Sequence, residues 1–70
     1  MPVDPRRYVQ VAVHLRAQLA SGKLESGDRL NIGLLADTYE VSRPTVAHAL
    51  RVLEADGLVL RYPGVGWVVA

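Results

Sequence analysis

Residues 31–57 read NIGLLADTYEVSRPTVAHALRVLEADG, two apolar periodicities with a short break between them. Asn31 can cap a helix by accepting a backbone N–H, and Ile32, Leu35, Ala36 and Tyr39 then recur on one face of a short helix. Gly33 in the first turn weakens that helix by up to about 1 kcal/mol relative to alanine. Glu40-Val41 make a turn and Ser42 caps the next helix, with Pro44 in the first turn, where a missing N–H costs nothing. Val46, Ala49, Leu50 and Leu53 form that helix's inward stripe, and Asp56-Gly57 end it. Two helices joined this tightly make a helix-turn-helix, a unit whose second helix enters a DNA major groove where it binds nucleic acid.

With that stripe facing inward, Arg43, Pro44, Ala47, His48 and Arg51 face outward, and positions 43, 47 and 51 stay together because they step by four. The outward face therefore holds two arginines, one histidine and no acid. Arginine forks onto guanine's major-groove edge or onto phosphate. An ordinary solvated helix face also carries arginines, so the face alone leaves both readings open. Ser42 and Asn31 sit at helix N-termini, whose free N–H groups bind phosphate oxygens, although capping alone accounts for both. Thr45 adds a hydroxyl donor in the first turn.

Working outward, Asp4-Pro5 open a first helix over about residues 5–20, with Tyr8, Val11, Ala12, Leu15 and Leu19 as its stripe and Ser21-Gly22 as its end. Arg6 and Arg7 occupy the wrong end of that helix for its macrodipole, which suggests an external anion; two solvated arginines would cost little, and the two readings weigh equally. Residues 21–30, SGKLESGDRL, read as turns leading into a short extended piece at Arg29-Leu30. Beyond Gly57 the period changes. Leu58–Tyr62 and Trp67–Val69 are rich in strand formers and flank Pro63-Gly64-Val65-Gly66. A four-residue loop places Tyr62 opposite Trp67, Arg61 opposite Val68 and Leu60 opposite Val69. The glycines of the tip, Gly64 and Gly66, allow close approach to a minor groove or phosphate, with Arg61 and Tyr62 beside it, and they equally serve a tight hairpin loop. Trp67 reads as hairpin packing rather than as a base-stacking platform. Helix, helix, helix, hairpin is the order of a winged helix-turn-helix: mainly α, a three-helix core plus a wing.

Composition agrees with that frame. The chain has 70 residues, half of them apolar and 21% charged, which suits one small folded domain over residues 1–70 and argues against a disordered tail. A chain this short buries only about 60% of its unfolded surface, so the core is thin. It has no cysteine, hence neither a disulfide framework nor a thiolate zinc site. No apolar run reaches the roughly 18 residues of a membrane span, and the N-terminus lacks a signal peptide's apolar stretch. The net charge of +1 hides a pattern: residues 1–20 and 42–51 carry +2 each, whereas residues 31–41 carry −2. Two basic segments in a near-neutral chain suit a localised anionic partner. Catalysis lacks an inventory. His14 and His48 have no nucleophile or carboxylate arranged around them, and no HExxH, phosphate loop or metal-spaced ligand set occurs.

These residues, in this order, resemble the winged-helix domain of the GntR family of bacterial transcription regulators. The resemblance runs from Tyr8 to Val69. It is carried by Ser21–Leu30, Leu35-Ala36, Val41–Val46, Ala49-Leu50, Leu53–Val59, Pro63-Gly64, Gly66 and Val69. It implies double-stranded operator DNA as partner, the recognition helix (about residues 43–56) in the major groove and the wing (residues 62–67) at the minor groove. This chain departs from the family pattern twice. The Leu-Pro-Ser-Glu-Arg stretch that usually opens the second helix is one residue shorter here, with Gly33 where the arginine would be. Ala47 stands where the family commonly has arginine. The family's C-terminal effector-binding and dimerising domain would follow Val69, after which only one residue remains here, so no ligand is read from this segment.

The sequence therefore predicts a cytoplasmic, sequence-specific DNA-binding regulator with no cofactor, no metal, no membrane contact and no effector site within these residues. Asn31, Ser42, Arg43, Pro44, Thr45, Ala47, His48, Arg51, Arg61, Gly64 and Gly66 are its DNA-binding candidates. All three apolar stripes are needed for the domain's own core, so the expected state is a monomer that pairs only on palindromic DNA. The alternative is a protein–protein interaction module on the same fold, docking a partner through the outward face of the third helix.

Overall fold

A computed structural model describes residues 7–70; the Asp4-Pro5 helix start and Arg6 lie outside them. The order is α1 (Arg7–Ser21), β1 (Arg29–Leu30), α2 (Ile32–Tyr39), α3 (Arg43–Ala55), β2 (Val59–Tyr62) and β3 (Gly66–Val69). α3 is the centre of the molecule. It packs against α1, α2 and β2, and Val46, Ala49, Leu50 and Leu53 are wholly buried, as the stripe predicts. Each large side chain so buried contributes about 1.5–3 kcal/mol. Val11, Ala12 and Leu15 of α1 are buried beside them, with Tyr8 and Leu19 at the margin.

Both helices of the central unit start on predicted caps. Asn31 Oδ1 accepts from the Leu34 N–H at 3.0 Å, and Ser42 Oγ accepts from the Thr45 N–H at 3.3 Å. α2 stops at Tyr39 because Glu40 turns left-handed, with φ 55° and ψ 47°. The Val41 N–H then reaches back to the Ala36 carbonyl at 3.0 Å and the Glu40 N–H to Asp37 at 3.3 Å, which satisfies carbonyls the helix would leave open. Only Glu40-Val41-Ser42 separate α2 from α3.

The sheet is antiparallel, in the order β1-β3-β2. The predicted extended piece at Arg29-Leu30 pairs with Val68 and Trp67. The hairpin register differs from the expected one by one residue: Tyr62 faces Gly66, Arg61 faces Trp67, Leu60 faces Val68 and Val59 faces Val69. The cause is the turn. The Val65 N–H bonds to the Tyr62 carbonyl at 3.0 Å, with Pro63 and then Gly64 (φ 80°) at the two central positions. That is the residue pattern of a type II turn, and it leaves a loop of three residues instead of four. The aromatic pair expected at the base of the loop is replaced by Arg61 beside Trp67. Val59, Val69 and Trp67 form the sheet's core side, while Leu60 and Tyr62 are exposed on the other.

Candidate nucleic-acid interface

The outward face of α3 is assembled as its spacing requires. Arg43, Pro44, His48 and Arg51 are exposed and Ala47 is half-buried between them. Arg51 lies eight residue steps beyond Arg43, about 12 Å along the axis at 1.5 Å per residue. Among the described residues no carboxylate pairs with either arginine; the ion pair present joins Arg16 to Asp56, both exposed. Asn31 and Ser42 bring the N-termini of α2 and α3 to this side, next to Arg43.

Two candidates stand differently from expectation. Thr45 belongs to the buried stripe, with 7% of its surface exposed. Its hydroxyl lies 2.8 Å from Ser42 Oγ. Position 45 precedes Ala49 by one helical turn and so shares its inward side. The hydroxyl therefore reinforces the cap of α3 instead of pointing outward. His48 is exposed but not free: its ring stacks on Tyr8 of α1, with centroids 3.9 Å apart and planes 13° from parallel. One face of the imidazole is thus occupied by the fold.

The wing tip carries Gly64 and Gly66, both at positive φ (80° and 105°), where a side chain would be strained. Arg61 leans over Trp67, its guanidinium carbon 5.9 Å from the ring centroid, which is the outer limit of a cation–π contact. The strand alternation puts Arg61 and Tyr62 on opposite faces of the wing.

Three contacts had no signal in the sequence. Arg7, for which the sequence leaves an external anion and plain solvation both open, instead donates to the carbonyls of Tyr39 at 3.1 Å and Glu40 at 3.3 Å. It lies at the negative end of α2, where a cation is favoured. Nδ1 of His14 lies 2.5 Å from the Tyr39 hydroxyl, and burial holds that hydroxyl's pKa above its ordinary value. The third is Tyr8 under His48. In each case the partner is on another helix, which periodicity within one helix does not reveal.

The face expected to hold no acid carries exposed Glu54 one turn beyond Arg51, paired with neither arginine. A three-helix core whose tight helix-turn-helix exposes Arg43 and Arg51, with a three-stranded sheet alongside, defines a winged helix-turn-helix domain of the DNA-binding class. Residues 7–69 match the bacterial regulatory proteins of the gntR family. The chain is 40% identical over 68 residues to the HTH-type transcriptional regulator YdcR of Escherichia coli (strain K12), covering 93% of this chain and 14% of that protein. It is 38% identical over 51 residues to the gluconate operon transcriptional repressor of Bacillus subtilis (strain 168), covering 73% of this chain and 21% of the repressor. Among solved structures it is similar to the DNA-binding domain of AraR in complex with operator ORX1, with a TM-score of 0.85 and 27% identity over all of this chain and 81% of that one. The chain belongs to the GntR family. It is a transcriptional regulator's DNA-binding domain, and it spans a small part of the length of the regulators it matches. No helix among the described residues is long and apolar enough to cross a membrane.

Proposed function

We propose that this domain binds double-stranded operator DNA with α3 in the major groove and the wing, residues 62–67, at the minor groove. The observation that carries the reading is the outward face of α3, where Arg43 and Arg51 stand exposed with Ala47 and His48 between them and where exposed Glu54, one turn beyond Arg51, is paired with neither arginine. Arg43, near the start of the helix, reads base edges. Arg51, farther along, grips the backbone. Pro44 and Ala47 are small enough to let the helix axis approach the bases, and His48 offers the ring edge that Tyr8 leaves uncovered. The free N–H groups of the Asn31 and Ser42 turns meet phosphates. Gly64 and Gly66 bring the wing backbone close to the duplex, and Arg61 stands beside them.

The AraR domain in complex with its operator supports this assignment, because the same fold is there engaged with an operator. In this reading the domain acts in the cytoplasm, where bacterial operators are, and by itself is a monomer. Its larger exposed apolar side chains are spread over α1 (Val9, Val13), α2 (Leu34) and the wing (Leu60, Tyr62, Val65). The test is titration of the domain with selected and scrambled duplexes over a range of salt. Neutralising four or five phosphates gives a slope of log K against log salt of about −4. Absence of binding to any duplex at low salt would transfer the same face to the protein-docking alternative. Sedimentation of the free domain checks the monomer.

A further inference from the structure

Five of the six glycines, at positions 22, 27, 57, 64 and 66, have positive φ and nothing within 4 Å of where a Cβ would stand. Gly33 is the reverse. It lies inside α2 with ordinary helical backbone, where glycine is the poorest residue after proline. The space beside it is filled: a Cβ there would lie 3.3 Å from Arg43 Nη2, 3.7 Å from Arg43 Cζ and 3.2 Å from Asn31 Oδ1. Carbon atoms in comfortable contact sit about 3.5–4.0 Å apart. The backbone does not require glycine at this position; the room beside it is taken by the Asn31 amide oxygen and the end of the Arg43 side chain.

We propose that Gly33 is a positioning residue that determines operator preference by leaving the volume in which the Arg43 guanidinium lies. Without a side chain at 33, Arg43 folds back from the start of α3 onto the first turn of α2, beside the Asn31 cap. Among the described residues no carboxylate holds it there, so the shape of that surface decides where the fork points. A methyl group at 33 presses the guanidinium outward by a few tenths of an ångström. A longer side chain takes its place altogether and sends it toward the groove along a different line. Because an arginine fork discriminates between base pairs by direction, moving it changes which base pair is preferred.

This inference rests on the DNA-binding reading, and the experiment separates the two. The domain, Gly33→Ala and Gly33→Gln, each with Arg43 present or replaced by alanine, are used to select duplexes from a random pool, with thermal melts alongside. The parent domain is expected to select a defined sequence. Gly33→Gln should change the preference at one base pair per site and weaken binding to the parent sequence about tenfold. Gly33→Ala should shift it less, in the same direction, with an equal or higher melting temperature, and it carries the test if the glutamine variant fails to fold. In the Arg43→Ala background all three residues at position 33 should select the same sequence. An unchanged preference in the folded position-33 variants overturns the inference, as does a change that persists without Arg43. A parent domain that selects no sequence overturns the DNA-binding reading and this inference together.

Discussion

Replacing Arg51 with alanine removes a cation from the far end of α3, about 12 Å along the axis from Arg43. That rise is close to the width of the major groove, about 12 Å, so a helix that enters with Arg43 at the bases brings position 51 to a phosphate strand. One phosphate contact fewer lowers the magnitude of the salt slope by about 0.9. Over a fourfold rise in salt, from about 50 to 200 mM, the parent domain should then lose roughly 3.5 times more affinity than Arg51→Ala. Arg51 is exposed, and among the described residues it has no carboxylate partner, so the fold itself should change by less than about 0.5 kcal/mol. Fluorescence anisotropy with a selected and a scrambled duplex at four salt concentrations reads both quantities. The loss should be equal on the two duplexes. A slope unchanged by the substitution, or a loss confined to the selected duplex, would refute the placement of Arg51 on the backbone.

Three further outcomes follow from the geometry. Thr45→Val loses the hydroxyl bond to Ser42, about 0.5–1.5 kcal/mol, and gains one buried methyl, about 0.8 kcal/mol, so stability should move by less than about 1 kcal/mol. DNA affinity of the folded variant should be retained, and a loss above about tenfold would place that hydroxyl on the DNA. Glu40→Gly relieves a left-handed residue with a side chain and should stabilise the domain by about 0.5–1 kcal/mol, seen as a melting temperature several degrees higher. Burial raises the Tyr39 pKa in the folded state, so its contribution to stability is whole below the ordinary tyrosine value of about 10 and is lost as pH rises through the folded value. Denaturant titrations between about pH 9 and 11 should show the parent losing stability more steeply than Tyr39→Phe, and parallel curves would contradict the assignment.

What the sequence made legible is the part of the fold that periodicity controls. A helix with one apolar stripe fixes its own rotation, so burying Val46, Ala49, Leu50 and Leu53 turned Arg43, Ala47 and Arg51 outward without further information. Thr45 was misread because it lies at the border of that stripe, where its polarity suggested solvent although its position, one turn before Ala49, is inward. The wing register turned on one local detail. Pro63-Gly64 at the centre of a type II turn closes the loop at Val65, a signal present in the residues, and so opposes Tyr62 to Gly66 and not to Trp67. The stack of Tyr8 on His48 and the docking of Arg7 onto α2 were not legible by any spacing rule. Each depends on how two helices cross, which is settled by the whole core at once. The closeness of Arg43 to Gly33 was hidden for the same reason: in the sequence Gly33 is only a weak helix residue.

The place of β3 between β1 and β2 also bears on how the domain is made. β3 is the last of the sheet's strands to be made and the middle strand of the sheet, so neither neighbour has anything to pair with until residues 66–69 emerge. The three helices and their shared stripe are by then complete, and they can collapse on local contacts while the wing waits. The pairing of Arg29 with Val68 closes the longest loop of the sheet, and such closures are the slow part of folding small domains. During synthesis a nascent chain would thus pass through a stage with its recognition helix formed and its wing absent. The wing would be fastened last, as the Val69 carbonyl accepts from the Gly27 N–H and the Val69 N–H donates to the Asp28 carbonyl.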